Sequence, residues 1–338
     1  AASDVYKRQA QLWIFGGMFL GFGIKVPMFP FHTWLPDAHT EAPTVGSVIL
    51  AAVLLKLGTY GFVRIAIPLL PEAAVEWAPW IGLLAVIGII YGAFCCLAQT
   101  DMKRLIAFSS VAHMGFVMLG ISTLTDFGIN AAIMGMVAHG LITGMLFFLA
   151  GSMKERYHTL EIKRLGGLLV QAPKMGWILG FCAMASLGLP GLAGFWGEFP
   201  AILSAYNPAN GLPVETFRTF MVVAALGTVL AAGYLLWLLQ RAAFGTPKEE
   251  FAEDPNIHDA TKTEWIAWAP LLALILALGI YPNLVFRATD GAVDASLTPC
   301  LTIDVDQLSH EEIETTDCPE VYGLLDHGSD HHAVSKGS

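Results

Sequence analysis

Apolar residues along this chain gather into runs of about twenty, separated by short polar stretches rich in Lys, Arg, Asp, Pro and Gly. Runs of that length without period-two alternation predict membrane-spanning helices, not the strands of a barrel. Eight segments qualify: residues 11–29, 44–67, 78–99, 103–122, 128–153, 173–205, 218–243 and 263–286. The sixth is too long for one span and contains Pro190 and Gly191, which predicts one broken helix. The first runs into Pro27, Pro30 and Pro36, a second candidate break. Discontinuous helices free backbone groups at membrane depth, and these are tolerated only beside protein or water. Breaks in corresponding places of two repeats point to a transport pathway. The plainer alternative is that the prolines after Lys25 end a helix at the membrane surface.

Composition agrees with the pattern. Of 338 residues, 55% are hydrophobic and only 14% charged, where soluble domains carry about 25% charge. The expected fold class is therefore all-α: a polytopic membrane bundle of about eight transmembrane helices, some of them broken. Residues 1–10 show no initiator Met and no signal-peptide layout, and read as an unmatched leader or cut end. The transmembrane domain covers 11–288. Residues 289–338 hold eleven acids and one base, Lys336, which accounts for the whole net charge of −10. That segment reads as an acidic, disordered tail outside the membrane.

Lys and Arg placement predicts orientation. Lys103 and Arg104 follow the third span, Lys154, Arg156, Lys163 and Arg164 the fifth, and Arg241 and Lys248 the seventh. If each segment crosses once, these loops share one side, the cytoplasmic one, and both chain ends lie on the other. Cys95, Cys96 and Cys182 sit inside apolar runs without metal-ligand spacing. In the tail, Cys300 and Cys318 are candidates to pair, and His327, His331 and His332 with Asp326 and Asp330 are a weak metal-ligand set against the commoner reading of a solvated end. There is no glycine-rich dinucleotide or phosphate loop, so NADH binding by this chain is not expected, and no basic face suited to nucleic acid.

The chemistry-bearing residues are ionisable groups where lipid should surround them: Lys25, Lys56, His113, His139 and Glu198. A charge at the bilayer centre costs about 2.5–3.5 kcal/mol on insertion scales. Lys56 has twelve residues of its span before it and eleven after, too deep to snorkel to the headgroups. Lys25 lies near a span end, where snorkelling competes with function. His113 and His139 have small neighbours, and the plainer alternative for each is a bond to a nearby carbonyl. Glu198 follows the Leu189-Pro190-Gly191 break, where packing gives no reason for a carboxylate. Lys, His and Glu can all exchange protons near neutral pH when their surroundings shift them, whereas Arg is absent from mid-span positions. The set therefore favours proton relay over anion binding.

The run Lys25-Val26-Pro27-Met28-Phe29-Pro30-Phe31-His32-Thr33-Trp34-Leu35-Pro36-Asp37-Ala38-His39-Thr40-Glu41-Ala42-Pro43-Thr44, with Leu54-Leu55-Lys56-Leu57-Gly58, resembles the antiporter-like proton-channel subunits of NADH–quinone oxidoreductase (respiratory complex I), the subunit M and mitochondrial subunit 4 family. Asp101-Met102-Lys103-Arg104-Leu105-Ile106-Ala107-Phe108-Ser109-Ser110-Val111-Ala112-His113 and Phe195-Trp196-Gly197-Glu198-Phe199 fit as well. The resemblance covers residues 12–288. It implies a fourteen-helix subunit of two inverted repeats, of which this chain is similar to the seventh to fourteenth helices. Lys25 and Lys56 then match the seventh- and eighth-helix lysines, His113 and His139 the central-axis histidines, and Glu198 the twelfth-helix glutamate. The implied partner of Lys25 is a fifth-helix glutamate that this sequence does not include. The resemblance further implies a proton-translocating role coupled to quinone reduction elsewhere, with NADH, FMN, iron–sulfur clusters and quinone all held by other subunits. It implies membrane-arm partners and a bacterial inner membrane. The alternatives are a subunit of a multi-subunit sodium/proton antiporter or energy-converting hydrogenase, and, from another class, a purely structural arm.

Overall fold

The computed structural model describes residues 2–252 and 254–301. Eleven helices carry the architecture: α1 (Ala2–Lys25), α2 (Trp34–Glu41), α3 (Thr44–Leu69), α4 (Pro71–Leu97), α5 (Met102–Ser122), α6 (Asp126–Tyr157), α7 (Pro173–Ser186), α8 (Ala193–Ser204), α9 (Val214–Ala242), α10 (Lys262–Ile280) and α11 (Asn283–Leu301). The starts are written in the sequence. Asp101 accepts from the Arg104 amide at the head of α5, and Thr125 accepts from the Gly128 amide at the head of α6. Thr261 and Glu264 form a reciprocal capping box on α10. Proline opens α4 and α7 at the position where no intrahelical amide bond is lost.

Six of these helices, α3, α4, α5, α6, α9 and α10, are long and apolar enough to cross a membrane. Their burial grades from the middle outward. The hydrophobic stretch of α5 is 94% buried, that of α10 only 22%. The histidines on α5 and α6 thus belong to the innermost layer. Outward faces are apolar: on α3, Val45, Ile49, Val53, Leu57 and Tyr60 are exposed at helical spacing, and Trp13 of α1 is exposed too, as expected of surfaces that meet lipid tails. The chain is a multi-pass, all-α membrane protein.

Both expected breaks are present. α7 and α8 are separated by residues 187–192, where Gly188 and Gly191 take left-handed φ of 78° and 93°, conformations open to glycine at little cost. After α1, non-helical residues lead to α2. This first break is not a surface end: the Val26 side chain and the Phe22 carbonyl lie against Gly58, in the middle of α3. The plainer alternative for Pro27 and Pro30 therefore fails, because α1 stops at membrane depth.

The basic loops converge on one end of the bundle. The Met102 amide donates to the Leu160 carbonyl and the Ile162 amide to Thr100, while the Gly167 and Leu169 amides donate to Phe244 and Ala243. At the other end the Ala209 amide donates to the Thr123 carbonyl, and Thr289 and Asp290 of α11 bond to Asn130 of α6. The expectation of a structureless chain from residue 289 is corrected over 289–301. There α11 buries Val293, Ser296 and Leu297, one turn apart on one face. At the start, helix α1 already runs from Ala2. Cys318, the tail histidines and the side chain of Cys300 lie outside the described residues.

Candidate functional site

Two glycine contacts place the site. Gly135 of α6 and Gly197 of α8 touch backbone to backbone, so closely that a Cβ on Gly197 would stand 2.3 Å from the Gly135 Cα. This contact seats Glu198, the next residue, inside the bundle. Gly140 of α6 lies against Ala52 of α3, where a Cβ would stand 2.8 Å from the Ala52 carbonyl oxygen. That approach brings α3 alongside His139.

Around Lys56, α3 departs from α-helical winding. Residues Leu50–Leu54 form a π-helical turn, with the Leu55 amide bonded to the Leu50 carbonyl. Within this turn the Lys56 Nζ donates to the Ala51 carbonyl at 2.5 Å. The same Nζ lies 2.6 Å from His139 Nδ1. When Lys56 is an ammonium, Nδ1 must be the acceptor, which puts the His139 ring proton on Nε2. Nε2 is buried without a protein partner among the described residues.

Beyond His139 lies a cavity of about 20 Å³, lined by Thr143, Ser186, Glu198 and both histidine rings. A water needs about 10–15 Å³ and two to four polar partners, so this cavity has room and partners for one. The rings of His139 and His113 are 5.9 Å apart, edge to face. His113 Nδ1 and Glu198 Oε1 are 2.6 Å apart, with the imidazole 5% and the carboxylate 13% exposed. On its other side, His113 Nε2 lies 3.0 Å from the Ser186 Oγ and 3.1 Å from the Tyr234 OH. Two hydrogen-bonded pairs result, Lys56 with His139 and His113 with Glu198, separated by one water-sized space.

Four of the five expected residues therefore meet. Lys25 does not join them. It is half-buried at the end of α1 and makes no hydrogen bond or ion pair with any described residue. Sequence reasoning missed Ser186, Tyr234 and Thr143. Tyr234 carried a usable signal, a hydroxyl within the apolar stretch of α9, which must find a partner when buried. Ser186 stands four residues before Pro190, at the mouth of the break. Thr143 repeats His139 one helical turn later.

A family model described as NADH:quinone oxidoreductase/Mrp antiporter, transmembrane, matches residues 2–231. Curated relatives named NADH-quinone oxidoreductase subunit M, from Rickettsia bellii and Rhodobacter capsulatus, are 45% and 44% identical over 85% and 81% of this chain. The chain spans about half the length of these relatives, 56% and 52%. Among solved structures, a chain of respiratory complex I from Thermus thermophilus with bound NADH matches with a TM-score of 0.77 at 33% identity, over 86% of this chain and 59% of that one. Breaks, buried charges and the extent of the match agree, and the chain belongs to the NADH:quinone oxidoreductase/Mrp antiporter transmembrane family.

Proposed function

We propose that this chain is part of a proton-translocating membrane subunit of an NADH–quinone oxidoreductase, and that Lys56, His139, His113 and Glu198 form its intramembrane relay. The observation that carries the reading is the pair of 2.6 Å contacts, Lys56 to His139 and His113 to Glu198, on either side of a water-sized cavity. Such a line conducts because each member both accepts and gives a proton. Electron transfer, with its NADH, FMN, iron–sulfur and quinone chemistry, takes place in other subunits. Its energy reaches this chain through the charges of neighbouring membrane-arm subunits. Lys25 acts as a switch: paired with a carboxylate outside this sequence it leaves Lys56 protonated, and unpaired it repels that proton. An unpaired ammonium a few ångströms nearer disfavours the charge on a buried lysine by about 1 kcal/mol at an effective dielectric of about 20. The proton then passes through His139 and water to His113 and leaves near Glu198.

The membrane is the bacterial inner membrane, with the end that gathers Lys103, Lys154 and Lys163 on the cytoplasmic side and both ends of this chain on the other. The test is the full-length protein in its complex, reconstituted in vesicles and driven with NADH and a quinone. Wild type acidifies the vesicle lumen, and Lys56→Ala does not. Acidification by Lys56→Ala at the wild-type rate would rule out the relay. Sodium-driven proton exchange in the absence of NADH oxidation would move the chain to the antiporter branch of its family.

A further inference from the structure

One buried hydroxyl behaves differently from its counterparts on the other helices. Ser109 and Ser110 donate to the Ile106 carbonyl, Ser122 to Leu119, Ser204 to Ala201 and Ser296 to Ala292, each on its own helix three or four residues back. Such back-bonding is the local alternative open to any serine inside a helix. Ser186 does not take it. Its Oγ lies 3.0 Å from His113 Nε2, on another helix, and that is its one hydrogen-bond partner among the described residues. The helix break sets this position. Ser186 is the last residue of α7, and the chain turns away after it through Gly188 and Gly191. Gly194 of α8 packs so closely that a Cβ there would stand 2.1 Å from the Ala185 carbonyl oxygen. The end of α7 is thereby fixed against α8, with the Ser186 side chain at the cavity.

The two nitrogens of His113 have separate surroundings. Nδ1 is taken by Glu198 Oε1 at 2.6 Å. A proton that crosses the ring to Glu198 must therefore enter at Nε2. Among the described residues two groups reach Nε2, the Ser186 Oγ at 3.0 Å and the Tyr234 OH at 3.1 Å. Tyr234 has no exposed surface and does not border the cavity. Ser186 does border it, together with His139, Thr143 and Glu198. Ser186 is thus the described residue that touches both the cavity and the entry nitrogen. The His139 Nε2, without a protein partner among the described residues, is left to a water in that cavity. Glu198 also borders the cavity, so the competing route is direct transfer from that water to its carboxylate, which needs neither the hydroxyl nor the ring.

We propose that the Ser186 hydroxyl is the link through which a proton passes from the cavity water into His113; the inference rests on the relay reading above. The water, having received a proton from the His139 side, gives one to a lone pair of Ser186 Oγ. In the same step the Ser186 O–H proton moves to His113 Nε2, and the Nδ1 proton moves to Glu198 Oε1. One proton enters the hydroxyl and one leaves it, so no alkoxide forms. One enters the ring and one leaves it, on opposite nitrogens. Rotation of the hydroxyl and turning over of the ring restore the starting arrangement. Tyr234 is a positioning residue: its hydroxyl holds the Nε2 edge of the ring where Ser186 meets it.

Threonine and valine share one shape and differ by the hydroxyl, so Ser186→Thr and Ser186→Val separate proton transfer from packing. In the reconstituted full-length complex, NADH-driven pumping by Ser186→Thr is expected within about twofold of wild type, and by Ser186→Val at least about tenfold lower. Equal rates in the two variants overturn the proposal and leave direct transfer to Glu198. Tyr234→Phe removes the other hydroxyl from Nε2 without altering the cavity wall, and its expected loss is smaller than that of Ser186→Val. An equal loss overturns the proposal too, because holding the ring then explains both. If the added methyl prevents assembly of both Ser186 variants, Ser186→Ala is measured instead, and wild-type pumping by it has the same force. Lys56→Ala in the same preparation separates the two ideas. If Lys56→Ala is inactive and Ser186→Val matches Ser186→Thr, only the link is wrong; if Lys56→Ala and Ser186→Val both pump at the wild-type rate, the relay itself falls.

Discussion

Replacing Lys56 by methionine distinguishes a conducting group from a structural one. Methionine keeps most of the stem and removes the charge. Two groups lose their partner, His139 Nδ1 and the Ala51 carbonyl. At about 1–3 kcal/mol for each buried group left unmatched, the loss is about 2–6 kcal/mol. Against this stands the burial of the ammonium itself, about 2.5–3.5 kcal/mol on insertion scales. The two nearly cancel, so Lys56→Met is expected to stay within about 3 kcal/mol of wild type in stability. The assay is paired: thermal unfolding of the purified complex in detergent, and NADH-driven proton pumping after reconstitution. The account expects a small change in unfolding with pumping abolished. Severe destabilisation with the remaining folded fraction still pumping would refute the reasoning and make Lys56 a structural strut.

Other consequences are equally specific. Arg156 is 4% exposed and bonds both Glu264 oxygens, at 2.9 and 2.8 Å, together with the His258 and Ser152 carbonyls. Glu264→Ala strands that guanidinium, so thermal unfolding should report a loss of about 3–5 kcal/mol, whereas breaking the exposed Arg164–Glu250 pair should cost under about 1 kcal/mol. Gly197→Leu forces α6 and α8 apart, so it should destabilise by at least about 1–3 kcal/mol and slow pumping together, as read in the same two assays.

The sequence exposed those parts of the site that break a local rule. Lys56 could be placed because eleven or more apolar-span residues flank it on each side, and Glu198 because it follows a helix break. The Pro190–Gly191 interruption was readable from backbone chemistry alone. What escaped depends on tertiary contact. Lys25 looked like a helix-end residue because only the packing of Val26 on Gly58 reveals the depth of that end. Ser186 and Tyr234 are ordinary residues until His113 lies between them. For α11, the acids Asp290 and Asp294 drew attention away from Val293 and Leu297, which already had the four-residue spacing of a buried face.

The claim at the centre of the account is that a proton crosses from Lys56 through two histidines to Glu198. Glu198→Gln tests it most directly, because glutamine keeps the shape and a hydrogen bond to His113 while removing the group that receives and releases the proton. In vesicles holding the full-length complex, the account predicts an assembled particle whose NADH-driven lumen acidification is lost. Acidification at the wild-type rate by that variant would contradict it.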